Sequence, residues 1–586
     1  MPSASTTCEF DLKIVNGFIV DGSGNPGYEG DVGIRDGRIA AVGEIPGRAV
    51  ETIDAGGRAV CPGFVDIHTH YDAQVMWDRM LTISPWHGVT TVVMGNCGFS
   101  VAPTRLEHRE TIVRTLENVE GMTVAALHEG LGEEWPFATF PEYLDAVESR
   151  GAAVNVGALI GHTALRTWVM GEDATEREAT DPEVDEMRRI VREAMEAGAL
   201  GFATSKAPTH VGHHGKPVPS RAAATGEILA LAGELRRAGR GGVVQATVGR
   251  SLSFPEFRAL HEASGCTVSW TALLAGIALQ DGDADEQLRR SAELVAEGYD
   301  VVPQVSPRAL KFEYQLKAPF VFEGMRLFRP VSEADAAGKK RLYADPGFRA
   351  AVWERLSERV PPPFRRSFQG TVVSEAPGRP ELAERSLFEV AEAAGKTPVE
   401  YLFDLGLESD LEARFRMPIA NHDEDEVERL LLDPNTVVGL SDAGAHASQL
   451  CDACATTYLL RRWVRERKSL GLEQAVRMIT SRPAEVFGIA ERGRLAPGLA
   501  ADVVVFDPDT VGDGPLRRVY DLPGGADRLI SEAEGIEAVI VTGTVIRQGG
   551  GDRVDPSGPL PGHLLRNGRP PPPGRGRTSV GAAAAG

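Results

Sequence analysis

The rhythm of apolar and polar positions changes twice along the chain. Over residues 9–60 it runs in short strand-like pieces broken by turn residues. Phe10 to Val20 has a strand pattern and Asp21-Gly22-Ser23-Gly24 a turn, while the runs 31–34 and 38–42 flank Asp36-Gly37, the strongest short hairpin signal. The same texture returns at 501–506, 536–542 and 544–547. Two strand-rich pieces at opposite ends of a chain either pair with each other or fold independently. Pairing is the reading adopted: residues 9–60 plus 495–550 form a composite β-sandwich.

Between these ends, short apolar runs finish in polar or chemistry-bearing residues and lead into helix-like stretches. The runs are 64–70, 91–97, 155–163, 198–206, 242–248, 267–273, 300–308 and 437–442, with helical patterns at 182–196, 223–238, 284–297 and 453–467. Alternation of this kind predicts an α/β fold, a (β/α)8 barrel over 61–494. The connection 309–436 is far longer than an ordinary loop after a barrel strand, and it has its own helical patterns near 385–395 and 424–432. It is read as a subdomain inserted between barrel strands seven and eight. A tail follows from 552 to 586, and its closing RPPPPGRGRTSVGAAAAG is expected to be disordered.

Charge and composition narrow the function classes. A net charge of −21 and a pI near 5.2 argue against nucleic acid and against an anionic membrane surface, both of which call for a basic footprint. Six scattered cysteines do not make a disulfide framework. The first residues have neither the basic nor the apolar region of a signal peptide, and no apolar run approaches the ~20 residues of a spanning helix. A cytoplasmic enzyme acting on a small molecule is the expectation, with homo-oligomerisation left open.

The sharpest chemical feature is Phe64-Val-Asp-Ile-His68-Thr-His70. Side chains two apart on a strand share a side, so both imidazoles can reach one ion, and neutral imidazole is the commonest nitrogen ligand of zinc-type metals. The pair closes an apolar run, where barrel enzymes carry their sites. Asp442, in Leu440-Ser441-Asp442-Ala443-Gly444-Ala445-His446, closes the eighth run. A carboxylate there either binds metal and takes a proton from water or caps the next helix. His162 ends run three and is either a donor to a substrate carbonyl or a structural histidine. Arg308 ends run seven and is suited to pairing with a carboxylate. His446 faces the site or merely begins a helix. Cys451 and Cys454 are read as structural, and the stretches at Glu120–Thr123 and His128–Leu131 as walls of the site.

The motifs PGFVDIHTHYD, MGNCG, GHTALR, GFATSK, SDAGAH and PGLAADVVVFDP resemble the N-acyl-D-amino-acid deacylases (D-aminoacylases) of the amidohydrolase superfamily. The likeness runs from about Phe10 to Gly549 and is weakest over 309–436. It implies a β-sandwich made from both chain ends and a metal-bearing barrel. It further implies that His68, His70 and Asp442 hold a catalytic metal, that Asp442 is the general base, and that Cys97 is a metal-ligating thiolate.

The chain also departs from that pattern. Relatives place a histidine ligand at the ends of strands five and six, where this sequence reads Val243-Val244-Gln245-Ala246-Thr247-Val248 and Val268-Ser269-Trp270-Thr271-Ala272. Lys206 stands where other superfamily members carry a carboxylated lysine between two metals. It is either that ligand or a cation beside a substrate carboxylate. The histidines His210, His213 and His214 offer another source of donors, with His210 otherwise facing substrate. The simplest outcome is one tight zinc, or another divalent transition ion, with any second ion weak. The expected reaction is metal-dependent hydrolysis of a non-peptide amide C–N bond, deacylating an N-acyl-D-amino acid or a related N-acyl compound. Ring opening of a hydantoin, imide or lactam is the alternative within the class, and a non-catalytic ligand-binding relative the alternative outside it.

Overall fold

The computed structural model describes residues 8–212, 216–278, 281–323, 325–359 and 362–568. His213 and His214, and the run 569–586, lie outside the described residues. The middle of the chain forms an eight-stranded sheet from Phe64–Asp66, Val89–Met94, Asn155–Gly161, Gly201–Ser205, Val243–Thr247, Thr267–Thr271, Val301–Val305 and Val437–Val438. Neighbours in this order pair in parallel, with Val243 opposite both Gly201 and Thr267. Beyond the regular strands, Thr69 bridges Ala443 in parallel, and His70 N donates to Ala443 O at 2.7 Å. The first and last segments therefore meet, consistent with a (β/α)8 barrel.

Nearly every residue of these strands is buried, as a sheet covered on both faces requires. The connecting helices start with the chemistry their sequences carry. Thr180, Ser253 and Thr397 each form a capping box with a glutamate three residues on. Beneath strand six, Trp270 packs against Phe254 and Phe257 with ring centroids 5.7 and 5.8 Å apart.

The two chain ends share one nine-stranded sheet. Val503–Phe506 pairs antiparallel with Ala59–Pro62, and Ile536–Val541 continues outward from it. Asp36 and Gly37 both take positive φ, 50° and 71°, as the tightest hairpins require. A core of Leu12, Ile14, Val32, Val503, Val505 and Ile540 lies under this sheet. A separate two-stranded sheet, Gly512–Val519 with Arg528–Glu534, intervenes in the sequence and places Leu529 and Ile530 in the main core. Asp502 ties the terminal sheet to the parallel one, accepting from Asn155 Nδ2 at 2.8 Å and Arg492 Nε at 2.9 Å, all buried.

The long connection has its own four-stranded antiparallel sheet, which includes Leu310–Gln315 and Arg414–Ala420, and its own aromatic core around Phe322, Phe328, Tyr343 and Phe403. The sequence placed the helix Glu424–Leu432 in this subdomain. It packs instead in the main core through Val427, Leu430 and Leu431, serving as the helix that leads into the eighth strand. Part of the tail is also ordered: Val156 N donates to His563 O, Leu565 N to Val156 O, and Arg566 pairs with Asp145 and Glu148. All six cysteines are free thiols, and among the described residues no helix is long and apolar enough to cross a membrane.

Candidate metal centre

The first parallel strand ends at Asp66, and His68 and His70 follow it with rings 5.3 Å apart, both buried. Asp66 braces this turn: its Oδ1 accepts from His68 N at 3.2 Å, and its Oδ2 accepts from the Ser441 hydroxyl on the opposite side of the sheet closure. Cys97 comes from the turn after strand two and has φ 56°, in the left-handed region. Gly95 makes that turn possible, since a Cβ there would lie 2.2 Å from Leu159 O on strand three. Asn96 Nδ2 donates to Thr69 O and Val93 O, fastening the turn to the histidine pair.

These segments place His68 Nε2 3.5 Å from Cys97 Sγ and 3.2 Å from Asp442 Oδ1. His70 Nε2 lies 3.6 Å from the same Asp442 oxygen. The donor atoms of His68, His70 and Cys97 all fall within 4.8 Å of one another, the one such histidine, cysteine and carboxylate cluster among the described residues. The orientation of His68 is fixed from behind. Its Nδ1 lies 2.7 Å from Gln304 Oε1, so a neutral His68 that donates there presents its Nε2 lone pair to the cluster, whereas in the metal-free chain Cys97 and Asp442 raise its pKa despite burial.

The electrostatics suit a cation. Burial would push the Cys97 thiol up, but the charge and hydrogen bond of a protonated His68 beside it bring it down to about 7 in the metal-free chain. Asp442 is also buried, yet the hydrogen bond from His70 and the field of His68 hold its carboxyl well below the usual carboxylate range. Asp66 goes the other way, raised by burial to about 6 despite its bond from Ser441. Two imidazoles and a thiol that ionises near neutrality, grouped within 4.8 Å and with an ionised carboxylate beside the imidazoles, fit a zinc-type ion.

Of the other expected site residues, two join this group. His210 bonds Ser205 Oγ through Nδ1 at 2.7 Å and lies 5.0 Å, ring to ring, from Phe99. Burial, with the neighbouring His70 and His446, pushes it down to about 3, so it is neutral. His446 packs on Phe312 of the inserted subdomain at 5.2 Å, which brings that subdomain to the rim.

Three expected residues are engaged elsewhere. His162 lies 2.8 Å from both Glu227 and Thr204, in a buried network that Arg166 completes. Lys206 donates to the carbonyls of Arg221 and Ala223, and burial with nearby Arg166 lowers it to about 8. Carboxylation would leave Lys206 a single Nζ–H for these two acceptors. Arg308 bonds Cys451 O at 2.8 Å and Cys454 Sγ and pairs with Asp452 at 3.2 Å, which ties strand seven to the structural Cys451–Cys454 turn. His128, read as a wall of the site, is exposed and pairs with Glu110, whereas Met122 and Leu127 do line a small pocket with His70, Asp72, Phe99 and Leu116.

Strands five and six hold amides and hydroxyls where a second metal would need imidazoles. Gln245 Oε1 accepts from Cys97 N at 2.7 Å, and its Nε2 donates to Thr271 Oγ1 at 3.1 Å. Gln304 Nε2 donates to Ser269 Oγ at 3.0 Å. Gln245 had been noted in the sequence only as standing where relatives place an imidazole, and neither Gln304 nor Asp66 had been singled out. The available signal was a lone polar side chain inside an apolar strand, in VVQAT and VVPQV, and the period-two series Asp66, His68, His70.

A curled parallel sheet with this donor cluster at the ends of its strands defines a metal-dependent hydrolase. The amidohydrolase family profile matches residues 51–547, and the chain belongs to that family. It is 31% identical over 554 residues to an N-acyl-D-aspartate deacylase of Alcaligenes xylosoxydans xylosoxydans, covering 92% of each chain. A D-aminoacylase structure described as having a binuclear metal centre superposes with a TM-score of 0.64 at 27% identity, covering 95% of this chain and 100% of that one. The N-acyl-D-glutamate deacylase of Bordetella bronchiseptica, complexed with zinc and a phosphonate inhibitor, gives 0.62 at 29% identity, covering 95% and 99%.

Proposed function

We propose that this amidohydrolase removes the acyl group from an N-acyl-D-amino acid or a related N-acyl compound, using one tightly held zinc-type ion. The observation that supports it most is the convergence of His68, His70 and Cys97, with Asp442 beside both histidines, where the two ends of the parallel sheet meet. Held by these residues, the ion would supply the Lewis acidity that polarises an amide carbonyl and makes water acidic enough to act near neutrality. Asp442 is ionised across the working range and placed to accept the proton of the attacking water, then return it to the departing nitrogen. His210, neutral and free of the ligand set, and His446 face the substrate. Phe312 and Phe320, with rings 5.8 Å apart, offer an apolar wall for the acyl group.

The single-ion reading is supported by what surrounds the cluster. Gln245 and Ser269 are committed to hydrogen bonds at strands five and six, and Lys206 points to the carbonyls of Arg221 and Ala223. The domain division that accompanies this reading is 9–60 plus 495–550 as the composite β unit, the barrel over 61–494, and the subdomain inserted from 309. A cytoplasmic location fits the reduced thiols.

The test is hydrolysis by the zinc-loaded chain of N-acetyl- and longer N-acyl-D-amino acids, their L enantiomers, and hydantoins. Release of free amine from the D compounds is expected. Turnover of hydantoins alone would move the assignment to cyclic amides, and zinc binding without turnover of any of these would favour the ligand-binding alternative.

A further inference from the structure

We infer that Gln304 is a positioning residue of the metal centre, setting the tautomer and aim of His68. The inference rests on the metal-centre reading above. Gln304 lies in the seventh parallel strand, flanked by Pro303 and Val305, and is fully buried. A buried primary amide is costly unless its polar atoms are satisfied. Here both ends are used, with Oε1 on His68 Nδ1 at 2.7 Å and Nε2 on Ser269 Oγ at 3.0 Å.

The direction of the amide follows from its partners. The Ser269 hydroxyl serves either end of an amide, so it does not choose between them. His68 does choose. Its Nε2 is the nitrogen that faces Cys97 and Asp442, so it needs its lone pair free, and the ring proton then sits on Nδ1. Only an oxygen accepts that proton, and Gln304 must present Oε1. The eighth strand leaves room for this arrangement, since a Cβ at Gly439 would lie 2.9 Å from Gln304 Oε1 and crowd it.

Two consequences distinguish positioning from packing. An acceptor on Nδ1–H holds the imidazole in one tautomer and raises the basicity of Nε2, so removing it weakens metal binding, typically by about 10- to 100-fold. A stronger acceptor of the same reach should preserve binding or tighten it. Gln304→Leu removes the acceptor, and Gln304→Glu keeps it.

The experiment is zinc affinity by chelator competition across pH 6–8 for the full chain and both variants, with thermal unfolding of each metal-free protein measured alongside. Wild type and Gln304→Glu are expected to bind zinc within a few-fold of one another, and Gln304→Leu about 10- to 100-fold more weakly. The Glu variant should bind with its own pH dependence, because its carboxylate adds charge at Nδ1. Wild-type affinity in Gln304→Leu overturns the inference and leaves the metal centre standing. Equal losses in both variants also overturn it, since they assign Gln304 a packing role. Absence of zinc binding in the wild type removes the metal centre itself and this inference with it. If Gln304→Leu fails to fold, Gln304→Met supplies the same comparison with an unbranched side chain.

Discussion

Asp442 and His68 reach each other across the closure of the parallel sheet, Oδ1 to Nε2 at 3.2 Å, one arriving from the last strand and the other from the first. The same carboxylate oxygen lies 3.6 Å from His70, so one group touches both imidazoles. Asp442→Asn keeps the shape and removes the proton acceptor. It should lower kcat by about 10²- to 10⁴-fold, the usual contribution of a positioned acid–base group, while the melting curve shifts little. His68→Ala and His70→Ala should lose activity together with zinc. Near wild-type turnover in any of the three, measured beside its zinc content, rules out the proposed centre.

Metal stoichiometry follows from the donors available. A second zinc-type ion needs about four donors, some of them shared. Strand five offers Gln245, bonded to Cys97 N and Thr271, and strand six offers Ser269 and Thr271, none of which competes with imidazole or thiolate for zinc. One zinc per chain should survive exhaustive dialysis, read by elemental analysis. Two retained ions per chain would defeat this and direct attention to His210 and its loop.

The inserted subdomain separates two neighbouring phenylalanines. Phe320 is partly buried and meets Phe312, whose ring lies 5.2 Å from His446. Phe322 faces the other way and packs in the subdomain's own core, 5.4 Å from Tyr314 and 4.9 Å from Phe328. Phe320→Ala should raise KM more for long-chain than for acetyl substrates, with little loss of stability. Phe322→Ala should cost about 3–5 kcal/mol of stability, read by urea unfolding, and affect all substrates alike. Equal effects of the two variants on both measurements would refute the separation.

The parts of this site that were legible in the sequence are those set by local rules. His68 and His70 follow an apolar run with the two-residue period of extended chain, and Asp442 closes another, so their shared side and strand-end placement could be read directly. Gln304 was not legible as a support for His68, because an isolated glutamine in a strand has no meaning until the residue facing it is known. Lys206 looked like a ligand by its position at a strand end. Its direction was decided by two carbonyls at Arg221 and Ala223, supplied by a turn that no strand pattern reveals. Arg308 was diverted in the same way by the Cys451–Cys454 turn. The alternation of strands and helices was readable because each run buries on its own, whereas the ownership of the helix Glu424–Leu432 depended on which core received its apolar face.

One contribution to stability should be lost in mild acid for a reason outside the metal centre. His87 is completely buried, with Nε2 donating to Ser531 O at 2.9 Å and Nδ1 2.7 Å from Thr457 Oγ1. Burial, aided by Arg308 and Arg547, lowers it from the ordinary 6.5 to about 4. In the folded chain the ring is therefore neutral between pH 6.5 and 4, while the unfolded chain takes up a proton below 6.5. Through this group the unfolded state binds more protons in that window, so the stability His87 contributes is complete above about pH 7 and is lost as the pH falls toward 4. At about 1.4 kcal/mol per pH unit, the group's share of the loss is about 3 kcal/mol. Other buried groups titrate nearby, Asp66 and Asp452 both being raised to about 6, but a raised carboxyl works in the opposite sense. A difference measurement isolates the histidine. His87→Gln should be less stable than wild type at pH 7 by urea unfolding, and the gap should narrow as the pH is lowered to 4.5. A gap that stays constant over that range would show that His87 does not carry the acid sensitivity.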